Sequence, residues 1–190
     1  VNFLVFALIA GGVGLALTHY MVDTGSPLTT RHIGPWSIWT AAGRDDADPY
    51  TRAHFIRIGA LPLSSRIARI YQARSDANSQ QLRSNCDYAI EGVGPDAQWW
   101  NLAVYTDKGM LIANPANRHS FTSSTIMRKP DNSYRIILAR EARAGNWLPT
   151  VRANKLMLVL RVQQPHYGTQ PGRSALEAKE LPTISKLTCR

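Results

Sequence analysis

The sequence predicts a mainly β protein: an antiparallel β-sandwich or jelly-roll-like domain with one short helix, preceded by a single N-terminal transmembrane helix. Three observations point there. Residues 1–22 contain no Asp, Glu, Lys or Arg, although the whole chain carries 22 basic and 13 acidic residues, a formal net charge of +9. From Ile67 onward, short runs rich in β-branched and aromatic residues alternate with turn-forming clusters. None of those runs keeps a helical period over a helix length. With 190 residues, 44% of them apolar and 18% charged, the chain suits one ordinary domain and is neither disordered nor low in complexity.

The first segment, VNFLVFALIAGGVGLALTHYMV (residues 1–22), interrupts its apolar character only at Asn2, Thr18 and His19. About 20 apolar residues suffice to cross the hydrocarbon core as a helix. A secretory signal peptide has a shorter apolar region of about 7–15 residues and a small-residue cleavage site. Here the run is longer and Gly14-Leu-Ala16 is a mediocre site, so a retained signal anchor is expected. Small residues recur at four-residue spacing: Ala7/Gly11, Ala10/Gly14 and Gly12/Ala16. That spacing lets a second helix backbone approach closely, which implies a membrane-protein partner; a lipid-facing stripe of small residues is the alternative. Orientation is less legible. Arg31, Arg44, Arg52 and Arg57 would hold the following part in the cytoplasm, but long domains translocate largely regardless of charge.

Residues 23–47, with Gly25, Pro27, Gly34 and Pro35, read as an irregular linker. The folded domain is then expected over 48–190. It opens with a short helix: Asp48 caps it, Pro49 occupies its first turn, and Ala53, Ile56 and Ala60 share a face until Gly59 and Pro62 end it. Asp45, Asp46 and Asp48 lack the 12-residue pattern and terminal Glu of a calcium loop, so capping is the better reading. Strands follow at 67–71, 86–90, 99–105 and 134–138. The last of these forms a hairpin with 124–128 across Pro130-Asp131-Asn132, and a strand at 155–162 closes the series.

Signatures of chemistry are scarce. There is no Gly-x-Ser-x-Gly elbow, phosphate-binding Gly-Lys-Ser/Thr loop or His-Glu-x-x-His motif. The five histidines (19, 32, 54, 119 and 166) form no i,i+4 pair. No cofactor and no metal are therefore expected. The densest polar cluster is Asn117, Arg118 and His119, to which Trp147 is added as a stacking surface. Arg would supply a fork for a carboxylate or phosphate and His a tunable proton. The competing reading is a structured loop, with Trp147 anchoring a crossing segment to the core. The basic residues are dispersed, with only Arg128-Lys129 adjacent, which argues against nucleic acid and for an anionic membrane surface or an acidic partner. Cys86 and Cys189 are an even pair, as an oxidising compartment favours, or two separate thiols.

In order along the chain stand Gly34-Pro-Trp36, Ala47-Asp-Pro-Tyr-Thr-Arg-Ala53, Cys86-Asp-Tyr88, Gln98-Trp-Trp-Asn-Leu-Ala-Val-Tyr105, Asn114-Pro-Ala-Asn-Arg118 and Gly145-Asn-Trp-Leu-Pro149. The ordered set resembles the DUF1214 family of bacterial envelope proteins, in a short form with one membrane helix, from about Gly34 to about Gln164. The resemblance implies a β fold and an envelope location. It implies no activity, because none is established for the family, and it supplies no catalytic residues. An envelope location in turn favours a Cys86–Cys189 disulfide, which would pin a tail punctuated by Pro165, Gly168, Pro171, Gly172 and Pro182. The expectation is a single-pass inner-membrane protein whose periplasmic β domain is a non-catalytic accessory or interaction subunit of a membrane complex. The alternative is an envelope enzyme or ligand-binding protein for an acidic glycan or lipid, with a pocket around Arg118, His119 and Trp147.

Overall fold

The computed structural model describes residues 2–65, 67–151, 153–165 and 176–189. His166, Gly168, Pro171 and Gly172, named above, lie outside the described residues. The chain forms two compact units: Val1–Arg31 with Trp39–Ser65, and His32–Ile38 with Arg66–Arg190.

In the first unit, α1 spans Asn2–Thr24, 23 residues that extend about 34 Å at 1.5 Å per residue. No residue of α1 is buried, and an apolar helix exposed from residue 2 to residue 20 suits lipid. The short helix, α2, spans Pro49–Arg57 and begins as its sequence requires. The Asp48 carboxylate accepts from the Thr51 backbone N–H at 2.9 Å and from the Thr51 hydroxyl at 2.6 Å, and Pro49 takes a position where no donor is needed. Partial burial pushes the Asp48 carboxyl up, but the Thr51 bonds outweigh it and hold the group below its usual range.

The two helices are tied side by side at the C-terminal end of α1. His54 Nδ1 lies 2.8 Å from the Val22 carbonyl, and because a carbonyl only accepts, this nitrogen carries a proton. Arg57 lies 3.4 Å from the Asp23 carboxylate and donates to His19 Nδ1 at 3.1 Å. On α2, the Trp39 ring stacks on His54 with centroids 4.1 Å apart, and Phe55 meets both rings edge-on. At Gly43 (φ +69°) a Cβ would fall on the Leu63 carbonyl, so only glycine permits this chain crossing.

The strands form two sheets. The larger, six-stranded, runs in the order β1 (Thr30–Ile33), β2 (Trp36–Trp39), β3 (Ala68–Ala73), β9 (Leu156–Pro165), β5 (Ala97–Thr106), β6 (Ser120–Thr122). The smaller, four-stranded, runs β10 (Thr183–Cys189), β4 (Cys86–Gly92), β7 (Tyr134–Ala139), β8 (Asn146–Pro149). One apolar core joins them. Trp36, Tyr71, Trp100, Leu102, Leu158 and Leu160 of the large sheet cluster with Tyr88, Ile90, Ile136, Leu138, Leu148 and Ile184 of the small one. Register explains the match, since Leu102 lies opposite Leu160 and Trp100 opposite Val162, while Ile90 lies opposite both Ile136 and Ile184. Trp100 and Tyr134 meet across the core with ring centroids 5.2 Å apart, and Trp36 Nε1 donates to the Pro182 carbonyl at 2.8 Å.

Three expectations need correction. Residues 23–47 are not an irregular linker, for they contain β1 and β2. Gly34 (φ +57°) followed by Pro35 makes the two-residue loop of a hairpin, where glycine at the first central position is the favoured choice. Trp36 and Ile38 then alternate into the core. The small sheet is mixed, because β8 runs parallel to β7, Ile136 pairing with Asn146 and Ala139 with Pro149. Parallel neighbours normally need a crossover of a dozen or more residues. Here β8 is so short that the chain backtracks only about 10 Å, three residues of strand, before pairing again. Finally, residues 124–128 contribute one bridge, Arg128 to Tyr134, instead of a full strand. Thr122 and Thr125 bond to each other's backbone, closing a turn directly after β6.

Cys86 and Cys189 are register partners at one end of the β4–β10 pair and are joined by a disulfide. The bridge fastens a strand in which only Ile184 is buried.

Candidate functional site

The loop between β5 and β6 is organised by Asn114. Its Nδ2 donates to the Ile112 and Arg118 carbonyls, each at 3.0 Å, while its Oδ1 accepts from the Arg118 backbone N–H at 3.0 Å. Asn117 takes the left-handed conformation (φ +48°) that Asn tolerates in turns. The His119 ring lies between two side-chain amides, its Nε2 3.3 Å from Asn117 Oδ1 and its Nδ1 3.4 Å from Asn114 Nδ2.

The fold brings Arg118 and Trp147 together. The Arg118 guanidinium lies 6.0 Å from the Trp147 ring centroid and 5.8 Å from that of Phe121, and it donates to the Trp147 carbonyl at 3.5 Å. Trp147 in turn donates through Nε1 to the Ala139 carbonyl at 3.0 Å. Its neighbour Asn146 is buried and spends its amide on backbone, accepting from Met127 N–H and donating to the Met127 and Arg135 carbonyls. Arg118, His119, Asn117 and Trp147 thus form a tied surface ridge in which Asn117 and the Arg118 cation are exposed and His119 and Trp147 half-buried. A carboxylate or phosphate would meet Arg118 from the solvent side, on an aromatic floor.

A concave site appears elsewhere. Arg83, Ser84, Asn85, Arg140 and Asn154 line an open cavity of about 290 Å³ at the end of the β unit where β4 begins, β7 ends and β9 begins. Three loops are stitched together there. Ser84 N–H donates to the Asn154 carbonyl at 2.8 Å, Arg140 Nε donates to the Ser84 carbonyl at 2.8 Å, and Arg83 bridges to Lys155 through backbone. Asn154 adopts φ +55°, and Arg83 N–H donates to the buried Tyr88 hydroxyl at 3.0 Å. Burial pushes that phenol up, keeping it neutral. Among the described residues the Arg83 guanidinium makes no hydrogen bond or ion pair, and the terminal nitrogens of Arg140 make none either. Two guanidinium groups therefore face one polar mouth. Sequence reasoning missed this site, since its residues are scattered over three loops with no shared motif.

On α1, positions Ala7, Ala10, Gly11 and Gly14 are all exposed, and nothing lies within 4 Å of a Cβ built at Gly11 or Gly14. The described residues contain no group of three or more His, Cys, Asp or Glu side chains placed to hold a metal ion.

A family described as a protein of unknown function matches residues 68–167, more than half the chain. Among solved structures, the VPA0106 protein from Vibrio parahaemolyticus aligns with a TM-score of 0.59 at 22% identity, over 75% of this chain and 36% of that one. An uncharacterized protein from Burkholderia cenocepacia aligns with a TM-score of 0.42 at 18% identity, over 65% of this chain and 30% of that one. The likeness to the Vibrio protein is one of fold, and the chain spans about a third of the length of each relative. No curated protein matches.

Proposed function

The chain belongs to the DUF1214 family, a family of unknown function, and from that premise we propose that it is a single-pass inner-membrane protein presenting its β unit to the periplasm as a non-catalytic interaction subunit of a membrane complex. One observation supports this above the others: α1 is long enough to span a bilayer, apolar all round and unburied along its length. The Cys86–Cys189 bridge favours an oxidising compartment for the β unit. The open small-residue face at Ala7, Ala10, Gly11 and Gly14 is the surface through which a partner helix would pack. Copurification of the full chain in mild detergent tests the reading. A defined membrane protein should copurify with the native chain and be lost when Gly11 and Gly14 are both replaced by Leu, with membrane insertion unchanged. Undiminished copurification would reduce α1 to an anchor.

The Arg83–Arg140 cavity favours a second reading, a binding protein for an acidic group of an envelope glycan or lipid. Charge-assisted hydrogen bonds contribute about 1.5–3 kcal/mol each, so losing one costs roughly tenfold or more in affinity. Titration with inorganic phosphate and with glucuronate should show binding that Arg83→Gln weakens by that factor. Binding unaffected by Arg83→Gln removes the cavity from consideration.

A further inference from the structure

The helical unit exposes more aliphatic surface than its span accounts for. Beyond α1, Leu28 is 86% exposed, Ile56 79%, Ile58 53%, Leu61 96% and Leu63 56%. Four of these fall within eight consecutive residues, from the last turn of α2 into the irregular chain after it. Soluble surfaces seldom gather large aliphatic side chains in this way unless something covers them.

Their place in the unit indicates what covers them. Residues 1–22 carry no Asp, Glu, Lys or Arg and Asp23 is the first charged residue, so the part of α1 suited to the hydrocarbon core ends near residue 22. The bonds that hold α2 to α1 lie at that level: His54 to Val22, and Arg57 to Asp23 and His19. The charged groups here would sit among the headgroups, with the aliphatic side chains of Ile56–Leu63 beside them. Trp39, stacked on His54 in the same unit, is of the residue type enriched at this depth.

We propose that the segment from Ile56 to Leu63, together with Leu28, lies in the membrane interface with its side chains in the outer acyl region, so that the chain meets the phospholipid bilayer through a patch as well as through a span. Lipid fits better than a partner protein on two grounds. The patch continues a helix exposed from residue 2 to residue 20, and its exposed apolar side chains are aliphatic Leu and Ile, with no aromatic ring among them to fill a partner's pocket. The irregular backbone after α2 stays in the hydrated headgroup layer, since unpaired amides are not tolerated in hydrocarbon. The anchored chain would thereby be held at a fixed tilt and rotation where it leaves the bilayer.

The inference rests on α1 spanning the membrane, and site-directed spin labelling separates the two. The full chain, with its native disulfide intact, is placed in nanodiscs of phosphatidylglycerol and phosphatidylethanolamine and labelled singly at Gly12→Cys, Ile58→Cys or Leu61→Cys. All three positions are exposed, so the label displaces no packing. The expected result is a Gly12 label that oxygen reaches and a water-soluble nickel chelate does not. Labels at Ile58 and Leu61 should also favour oxygen over nickel, at shallower depth. A Gly12 label in lipid with Ile58 and Leu61 labels open to nickel would overturn the interfacial patch and leave the span standing. Labels at 58 and 61 shielded from both reagents would assign the patch to protein and overturn it likewise. A Gly12 label open to nickel would remove the span, and the patch with it.

Discussion

Tyr134 opens β7 at 0% exposure, and its hydroxyl is buried with no hydrogen-bond partner among the described residues. Burial drives its pKa well above the usual phenol value, with the nearby Arg128 guanidinium, 5.9 Å from the ring, pulling the other way. A folded-state pKa above the unfolded one means that the group's contribution is complete below about pH 10 and is lost as pH rises through the folded value. Denaturation of the full chain should therefore show constant stability to about pH 10 and a decline above it. Tyr134→Phe should remove part of that decline and cost little at neutral pH, because it deletes an unpaired buried hydroxyl while keeping the ring against Trp100. An unchanged alkaline limb would mean that Tyr134 does not titrate with unfolding. Asp48 makes the opposite case. Its carboxyl is held low by Thr51, so its contribution is present above about pH 4 and fades as pH falls through the folded value. Asp48→Ala should destabilise α2 by about 1 kcal/mol, read as faster amide exchange at Thr51 and Arg52. The Asp48-Pro49 pair was legible from sequence because a cap is a local device; Tyr134 was placed on a strand, but its missing partner depends on residues distant in the chain.

At the scale of elements, the strands with strong apolar alternation were legible and the short ones were not. β5 and β9 lie near their expected positions because each buries long apolar stretches between two neighbours. The β1–β2 hairpin was taken for a linker because Gly34 and Pro35, read as breakers, are also what a tight turn requires. The parallel placement of β8 was invisible, since periodicity fixes which face a strand shows and not which neighbour it chooses. β10 is held by backbone pairing to β4, one buried side chain and a disulfide. Chain-entropy arithmetic for a closed loop of this size gives roughly 4–5 kcal/mol, and measured losses of native bridges run about 2–5 kcal/mol. Replacing both cysteines by Ser should cost that much, with amide protection lost in β10 at Ser185 and Lys186 before β4 and β7 open. Uniform loss across all three strands would place the bridge in the global fold and not in the tail.

For the whole molecule, a membrane-spanning α1 would place the β unit on one side of the bilayer, and charge does not decide which. The excess of basic residues favours a cytoplasmic position by the positive-inside rule, yet a folded unit of this length translocates with little regard to charge. The disulfide is the stronger discriminator. Glutathione and thioredoxin keep cytosolic thiols reduced, and the β4–β10 register places the two cysteines opposite each other. Geometry therefore permits the bond in both compartments, and only the redox poise selects it. Intact cells treated with a thiol-alkylating reagent before lysis should yield a chain with both cysteines unmodified, and the reduced form should migrate more slowly in a gel once its loop, 103 residues in separation, is opened. Two alkylated thiols would put the β unit in a reducing compartment and turn the membrane topology round. In that case the Arg83–Arg140 cavity would face the cytoplasm, where its acidic ligand would have to be sought among soluble phosphates and carboxylates instead of envelope glycans.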